Sequence, residues 1–348
     1  MPKLIKLVFS NFLIFSILIL FIDLIFGYWF QDYNFGTNMR GKRIQKIVFE
    51  HAQKKTYYLR DFYGFREDGD INKKYDASKI KIIFNGGSTG EEMFLNYEDT
   101  IVGKINYFFK KDNINIKIYN ASLSGKSLKG HVNEFSYWFK NIPNFKPEVI
   151  IYYFGINDRK ITKNRWHDYE GKLGFFRNIY WNITQKSFFY EKIKIIKDTY
   201  FYNEENINQY YTDDEKLLKR LSNNEFISYD DAKKKYKIEN NEEKEIIDNF
   251  KLNLNALNKK IKMWKIKPIF ITQITFNING DKILHFLNEE LKSFAKKNNY
   301  EIIKLDEIIK MPINNGFVDE VHTNEKGSLE ISKIIYPLLK NKLKNSIN

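Results

Sequence analysis

The chain has 348 residues, 43% of them hydrophobic and 17% aromatic, which is enough apolar mass for a large core and far from a disordered composition. It contains no cysteine, which excludes a disulfide scaffold, a thiol nucleophile, a cysteine-ligated zinc site and an iron–sulfur cluster. The formal charge of +14 would suit nucleic acid or an anionic lipid surface, but it is scattered over a chain rich in Lys, Asn and Ile, and a solvated lysine surface accounts for it without a ligand.

The N-terminus carries a membrane signal. After Lys3 and Lys6, the run from Leu7 to Ile22 has no charge, and Leu24 to Phe30 continues it beyond Asp23. As one helix, the stretch from Leu7 to Phe30 would cover roughly 36 Å, enough to cross a bilayer. Asp23 would cost about 2.5–3.5 kcal/mol at the centre, less toward the far end where it lies. Tyr28, Trp29 and Phe30 stand where small residues would mark a cleavage site, so an uncleaved signal anchor over residues 1–30 is expected. Lys3 and Lys6 are nearly balanced by Arg40, Lys42 and Arg43. One span followed by a long globular remainder places the body outside the cytoplasm.

Residues 31–78 read as a polar and aromatic connector. Beyond it, five short apolar runs have the length of strands buried on both faces: Ile80 to Phe84, Asn115 to Tyr119, Val149 to Phe154, Pro268 to Thr272 and Glu301 to Leu305. Helical patterns lie between and after them, over Glu91 to Lys111, Leu128 to Lys140, Asp281 to Asn298 and Glu325 to Leu343. This alternation predicts an α/β domain over residues 79–348 with a parallel sheet between helical layers. Ligands of such folds bind beyond the carboxyl ends of the strands. Residues 160–262 interrupt the pattern and read as a helical insertion that covers the site.

The turns at the strand ends carry the chemistry. Gly86-Gly87-Ser88-Thr89-Gly90 fits G-x-S-x-G, a strand-to-helix turn that can expose the Ser88 hydroxyl beside helix N-terminal donors. Alone, such a motif is more often only a turn. Asp319-Glu320-Val321-His322 puts a carboxylate three residues before a histidine. Asp319 can then hold Nδ1–H and leave Nε2 of His322 as a base. His51, His131, His167 and His285 have no such partner and read as structural. A tetrahedral intermediate also needs donors for its oxyanion. Ser88 N–H, a backbone N–H at Ser124-Gly125 and the Asn157 amide come from three strand ends and could supply them.

Four blocks in this order resemble those of the SGNH/GDSL hydrolase superfamily: Asn85-Gly86-Gly87-Ser88-Thr89, Asn120-Ala121-Ser122-Leu123-Ser124-Gly125, Phe154-Gly155-Ile156-Asn157-Asp158 and Asp319-Glu320-Val321-His322. The resemblance spans residues 80–345 except the insertion. It implies a flavodoxin-like three-layer α/β/α sandwich with a five-stranded parallel sheet. It also implies Ser88 as nucleophile, His322 as base, Asp319 as orienter, and Ser88 N–H, Gly125 N–H and Asn157 as oxyanion hole, with no cofactor or metal. Gly87 departs from the family, whose name-giving motif has Asp there. The partner so implied is an ester-bearing envelope glycan or lipid; the apolar N-terminal run adds the lipid bilayer and argues against nucleic acid as a partner.

Three other readings fit the sequence less well. An α/β-hydrolase would place its serine after several strands, with an oxyanion motif ahead of it. Ser124-Gly125-Lys126-Ser127 lacks the earlier glycine of a phosphate loop, since Asn120 stands there. A non-catalytic lipid- or glycan-binding protein would need no Ser88 hydroxyl. Within the superfamily, the same triad can pass an acyl group to water or, as an O-acyltransferase supplied by an acyl-donor partner protein, to a glycan.

Overall fold

The computed structural model describes residues 3–31, 39, 42–51, 54–72, 74–161, 168, 174–201, 226–313 and 315–347. Helix α1 (Lys3–Phe26) is followed by an antiparallel hairpin, β1 (Gln45–His51) and β2 (Lys54–Arg60). Then come β3 (Ile82–Gly86), the one-turn α2 (Ser88–Glu91), α3 (Ile101–Lys111), β4 (Ile118–Asn120), α4 (Leu128–Tyr137) and β5 (Val149–Tyr153). Helices α5 (Phe175–Thr184), α6 (Phe188–Tyr200), α7 (Tyr229–Lys235) and α8 (Asn241–Trp264) precede β6 (Lys267–Ile271). The chain ends with α9 (Lys282–Asn298), β7 (Glu301–Ile303), the short α10 (Leu305–Ile308) and α11 (Glu325–Ile347).

Five strands form one parallel sheet in the order β4-β3-β5-β6-β7. Counted within that sheet the order is 2-1-3-4-5, the flavodoxin-like winding. The order reverses at β3, so the loops after β3, β4 and β5 open into one crevice at the carboxyl edge.

Side chains alternate across the sheet because successive strand residues point to opposite faces. Ile82, Phe84, Val149, Ile151, Ile269 and Ile271 face the layer of α3 and α11. Ile83, Ile150, Tyr152 and Phe270 face the layer of α4, α8 and α9. Helix α8 buries Ile246, Phe250, Leu254, Leu257 and Ile261 there, each contributing about 1.5–3 kcal/mol by leaving water.

Several expectations are revised. Observed strands are displaced by up to a few residues, as β3 runs to Gly86. The helix expected over Glu91 to Lys111 is two helices. Glu92 adopts a left-handed φ of 48°, and Thr100 caps a fresh helix by accepting from Gly103 N at 3.0 Å. Within the stretch read as connector, β1 and β2 pair over seven residues, and Arg66 N joins their continuation to the main sheet through Asn120 O at 2.8 Å. The insertion is shorter than expected, because α8 is the crossover helix between β5 and β6. Helix α6 packs beside α1 and β1. Of the expected insertion, residues 162–167, which include His167, 169–173 and 202–225 lie outside the described residues.

Candidate active site

Strand β3 runs into Gly87, which takes the N-cap position of α2, and Ser88 is the first residue of that turn. The N–H groups of a first helical turn have no partner within the helix, so Ser88 N–H is open to a ligand oxygen. Two glycines allow the turn to sit close to its neighbours. A Cβ at Gly87 would lie 2.5 Å from Asn157 Nδ2, and one at Gly90 would lie 2.7 Å from Ser122 Oγ.

The loop before α11 brings His322 to this turn. Its Nε2 is 2.8 Å from Ser88 Oγ, across 234 positions of sequence. Its Nδ1 is 2.7 Å from Asp319 Oδ2. The other oxygen, Oδ1, accepts from Val321 N at 2.8 Å and from His322 N at 2.7 Å, so the carboxylate is held by its own loop. Burial pushes the Asp319 carboxyl up. The hydrogen bond and charge of His322, with the two backbone donors, outweigh that and hold it below the ordinary carboxylate value. An ionised Asp319 can fix the imidazole by accepting from Nδ1–H, which leaves Nε2 facing Ser88 Oγ.

The loops after β4 and β5 supply the other expected residues. Gly125 has φ 74°, a conformation that glycine adopts without cost. Asn157 sits on a short 3₁₀ turn, and its Nδ2 donates to Lys126 O at 2.9 Å. A primary amide has two N–H donors, and this bond uses one. Ser88, Asn157 and the Gly125 loop therefore gather at one end of the sheet. A cleft of about 150 Å³ lies beside Asn157, lined among others by Ser127, Lys129, Asp158, Lys160 and Asn249.

Two other histidines, His131 and His285, are held in settings of their own. His131 is buried against Phe154, with Nδ1 3.2 Å from Glu134 Oε2. His285 is buried beside Tyr229, Tyr236 and Phe286, and burial lowers its pKa. Lys126, which the phosphate-loop comparison would aim at a ligand, is buried and ion-paired to Glu134. Among the described residues, no three His, Asp or Glu side chains are grouped to hold a metal ion.

Several supporting residues escaped the sequence reading. Glu91, at the end of α2, accepts from Tyr58 Oη at 2.5 Å, Arg60 Nη1 at 2.6 Å and Ser124 N at 2.7 Å, and from Ser124 Oγ. It ties the serine turn to the Gly125 loop. Glu92 accepts from Ile101 N at 2.6 Å and Thr323 Oγ1 at 2.9 Å, and from Ser328 Oγ, which ties the serine turn to the His322 loop. Gln273, just beyond β6, donates to Thr89 Oγ1 at 2.8 Å and Tyr153 O at 3.2 Å, and accepts from Ile156 N at 2.6 Å. It bridges the residues next to Ser88 and Asn157. Only Glu91 and Glu92 gave any signal, as a carboxylate pair directly after the serine motif.

No family model and no curated protein matches the chain. Among solved structures, the chain is similar to the acetyl xylan esterase AlAXEase, with 15% identity over 74% of this chain and 99% of that one, at a TM-score of 0.41. It is similar to the esterase EstA from a Pseudoalteromonas species, with 14% identity over 76% and 98% of the two chains, at a TM-score of 0.40. A member of the lipolytic protein G-D-S-L family from Veillonella parvula matches with 14% identity over 75% and 98%, at a TM-score of 0.41. Likeness this distant transfers no residue's role, and the site rests on the distances above.

Proposed function

We propose that this chain is a serine hydrolase of the SGNH type that cleaves ester bonds. The observation that carries the reading is the continuous relay from Asp319 Oδ2 through His322 to Ser88 Oγ, with both links at hydrogen-bond distance. Ser88 Oγ attacks the ester carbonyl, and its proton passes to His322 Nε2. The oxyanion is received by Ser88 N–H, Gly125 N–H and Asn157 Nδ2. The leaving alcohol takes the proton from Nε2, and water, activated by the same nitrogen, releases the acyl group.

Helix α1 is long and apolar enough to cross a membrane, with a mean hydropathy of 2.5 over its most apolar window, and its side chains are almost all exposed. We read it as a single-pass anchor with the body outside the cytoplasm. An anchored esterase works on what the membrane surface presents, so the substrate class is an O-acyl glycan or a lipid of the envelope.

The test uses full-length protein in detergent, a panel of acetyl and longer acyl esters, and a fluorophosphonate probe. Turnover and labelling of Ser88, both lost in Ser88→Ala, are expected. Unlabelled wild type and unchanged turnover in the variant would refute the assignment. Adding a glycan acceptor separates hydrolysis from acyl transfer: free acid marks the hydrolase, and acylated glycan marks the transferase. A reporter at the C-terminus tests the topology, and activity of an export-dependent reporter is expected.

A further inference from the structure

Asp23 is the only acidic residue of α1, and it is only 8% exposed. Its carboxylate accepts from Trp29 Nε1 at 3.0 Å, Ser187 Oγ at 2.9 Å and Phe189 N at 3.1 Å. Ser187 is the N-cap of α6. The charge that disturbs the apolar helix thus lies on the N-terminus of another helix, the end where a dipole favours an anion. Main chain closes the same contact. Tyr28 N donates to Lys186 O at 2.8 Å, and a Cβ at Gly27 would lie 2.6 Å from that oxygen, so glycine is what lets the two backbones meet. Phe26 and Phe188 pack with ring centroids 5.7 Å apart. The corner between α5 and α6 is therefore fixed to the exit of the apolar helix.

Helix α5 enters that corner with its apolar residues uncovered. Phe175 is 73% exposed and Phe176 84%, and Ile179, Tyr180 and Ile183 are also exposed. Their spacing puts all five on one side of the helix. An uncovered apolar stripe of this size marks a contact surface. Through this corner α5 is joined to the exit of α1, whose apolar side chains are also exposed, and a helix joined to the end of a spanning segment meets the same bilayer at its interface.

We propose that α5 lies in the membrane interface, with Phe175, Phe176, Ile179, Tyr180 and Ile183 in lipid. Asp23 then locks anchor and body into one membrane-facing unit. This rests on reading α1 as a span, and is independent of the ester chemistry.

The cysteine-free sequence makes the test direct. Phe176→Cys, Leu13→Cys and Lys110→Cys, each in the full-length chain, carry one fluorophore at an exposed position. They are reconstituted at low protein-to-lipid ratio in vesicles of neutral and anionic phospholipid. Leu13 reports the span itself, and Lys110 reports exposed surface on α3. A shallow spin-labelled lipid should quench the Phe176 label at least about threefold more than the Lys110 label, with the reverse order for aqueous iodide. Equal quenching at the two positions overturns the proposal. Shielding of the Phe176 label from both quenchers assigns the stripe to a second copy of the chain and also overturns it. If deep spin-labelled lipid fails to quench the Leu13 label, the span falls and the proposal with it. Deep quenching at Leu13 without lipid quenching at Phe176 removes this proposal alone.

Discussion

Arg60 Nη1 lies 2.6 Å from Glu91 Oε1, and neither side chain has any exposed surface. The hairpin therefore reaches into the protein directly behind the serine turn. Burial pushes the Glu91 carboxyl up, but Arg60, Lys42 and the hydrogen bonds from Ser124 and Tyr58 outweigh it and hold the pKa at about 2. Such a depressed carboxyl contributes its stability in full above its unfolded value and loses it as pH falls through the folded one.

Removing one partner leaves a buried charge without a counter-charge. Glu91→Gln should cost about 3–5 kcal/mol of unfolding free energy. Arg60→Met should cost a similar amount, and the double variant should cost much less than the sum. Denaturant unfolding of the three variants checks this. Additive losses would mean that the pair is not coupled.

What the sequence could reveal followed from local pattern. Strands β3, β5 and β6 were visible because both faces are covered, which makes each a continuous apolar run. Asp319 and His322 were visible because their spacing within one loop already fixes their contact. The hairpin was missed. Its alternation is carried by Ile47, Phe49 and Tyr58 among charged residues, and the connecting Ala52-Gln53 has no turn-forming glycine or asparagine. Helix α8 reads as part of an insertion because its many lysines and glutamates mask the stripe from Ile246 to Ile261. Glu91, Glu92 and Gln273 could not be placed, since a polar residue's burial depends on partners remote in sequence: Arg60, Thr323 and Ile156.

The Asn157 amide is expected to matter most in the transition state, when the oxyanion has formed. Asn157→Ala should lower kcat by roughly 10²–10³ and leave KM nearly unchanged. A merely structural asparagine would instead lower the melting temperature and the number of active sites, with normal turnover per site. Fluorophosphonate titration, a melting curve and kcat on one preparation separate the two.

Gln273 acts through others. Its amide holds Thr89 and Ile156, one residue from Ser88 and from Asn157 respectively. Asn288 in turn holds its backbone, donating to Gln273 O at 2.8 Å. Gln273→Met keeps the volume and removes the side-chain hydrogen bonds. Loosening the Ser88 and Asn157 loops by a fraction of an ångström should lower kcat per titrated site by roughly 10–10² with little change in KM. Loss of folded protein at unchanged kcat per site would reduce Gln273 to a structural role.

Glu92 gives a stability signature of opposite sign to that of Glu91. Burial raises its carboxyl from the ordinary 4.5 to about 7, against the lowering effect of Ser328, Ile101, Arg66 and Thr323. Between those two values the folded state keeps a proton that the unfolded chain has released. Stability therefore falls as pH rises through the window, by at most about 1.4 kcal/mol per pH unit for this one group. Glu92→Gln carries no charge to bury and can still accept from Ile101 N. The stability of the variant relative to wild type should be constant below about pH 4.5, rise between pH 4.5 and 7, and level off above. Glu67, raised to about 7, and Asp61, raised to about 6, titrate in the same window and are common to both proteins, so they cancel in the difference. Urea unfolding of both proteins at half-unit intervals from pH 4 to 8 measures it. A flat difference across that range would mean that Glu92 is already ionised in the folded protein at pH 5. The Arg66 guanidinium would then be its dominant neighbour, and the join between the serine turn and the His322 loop would hold a carboxylate, not a neutral acid.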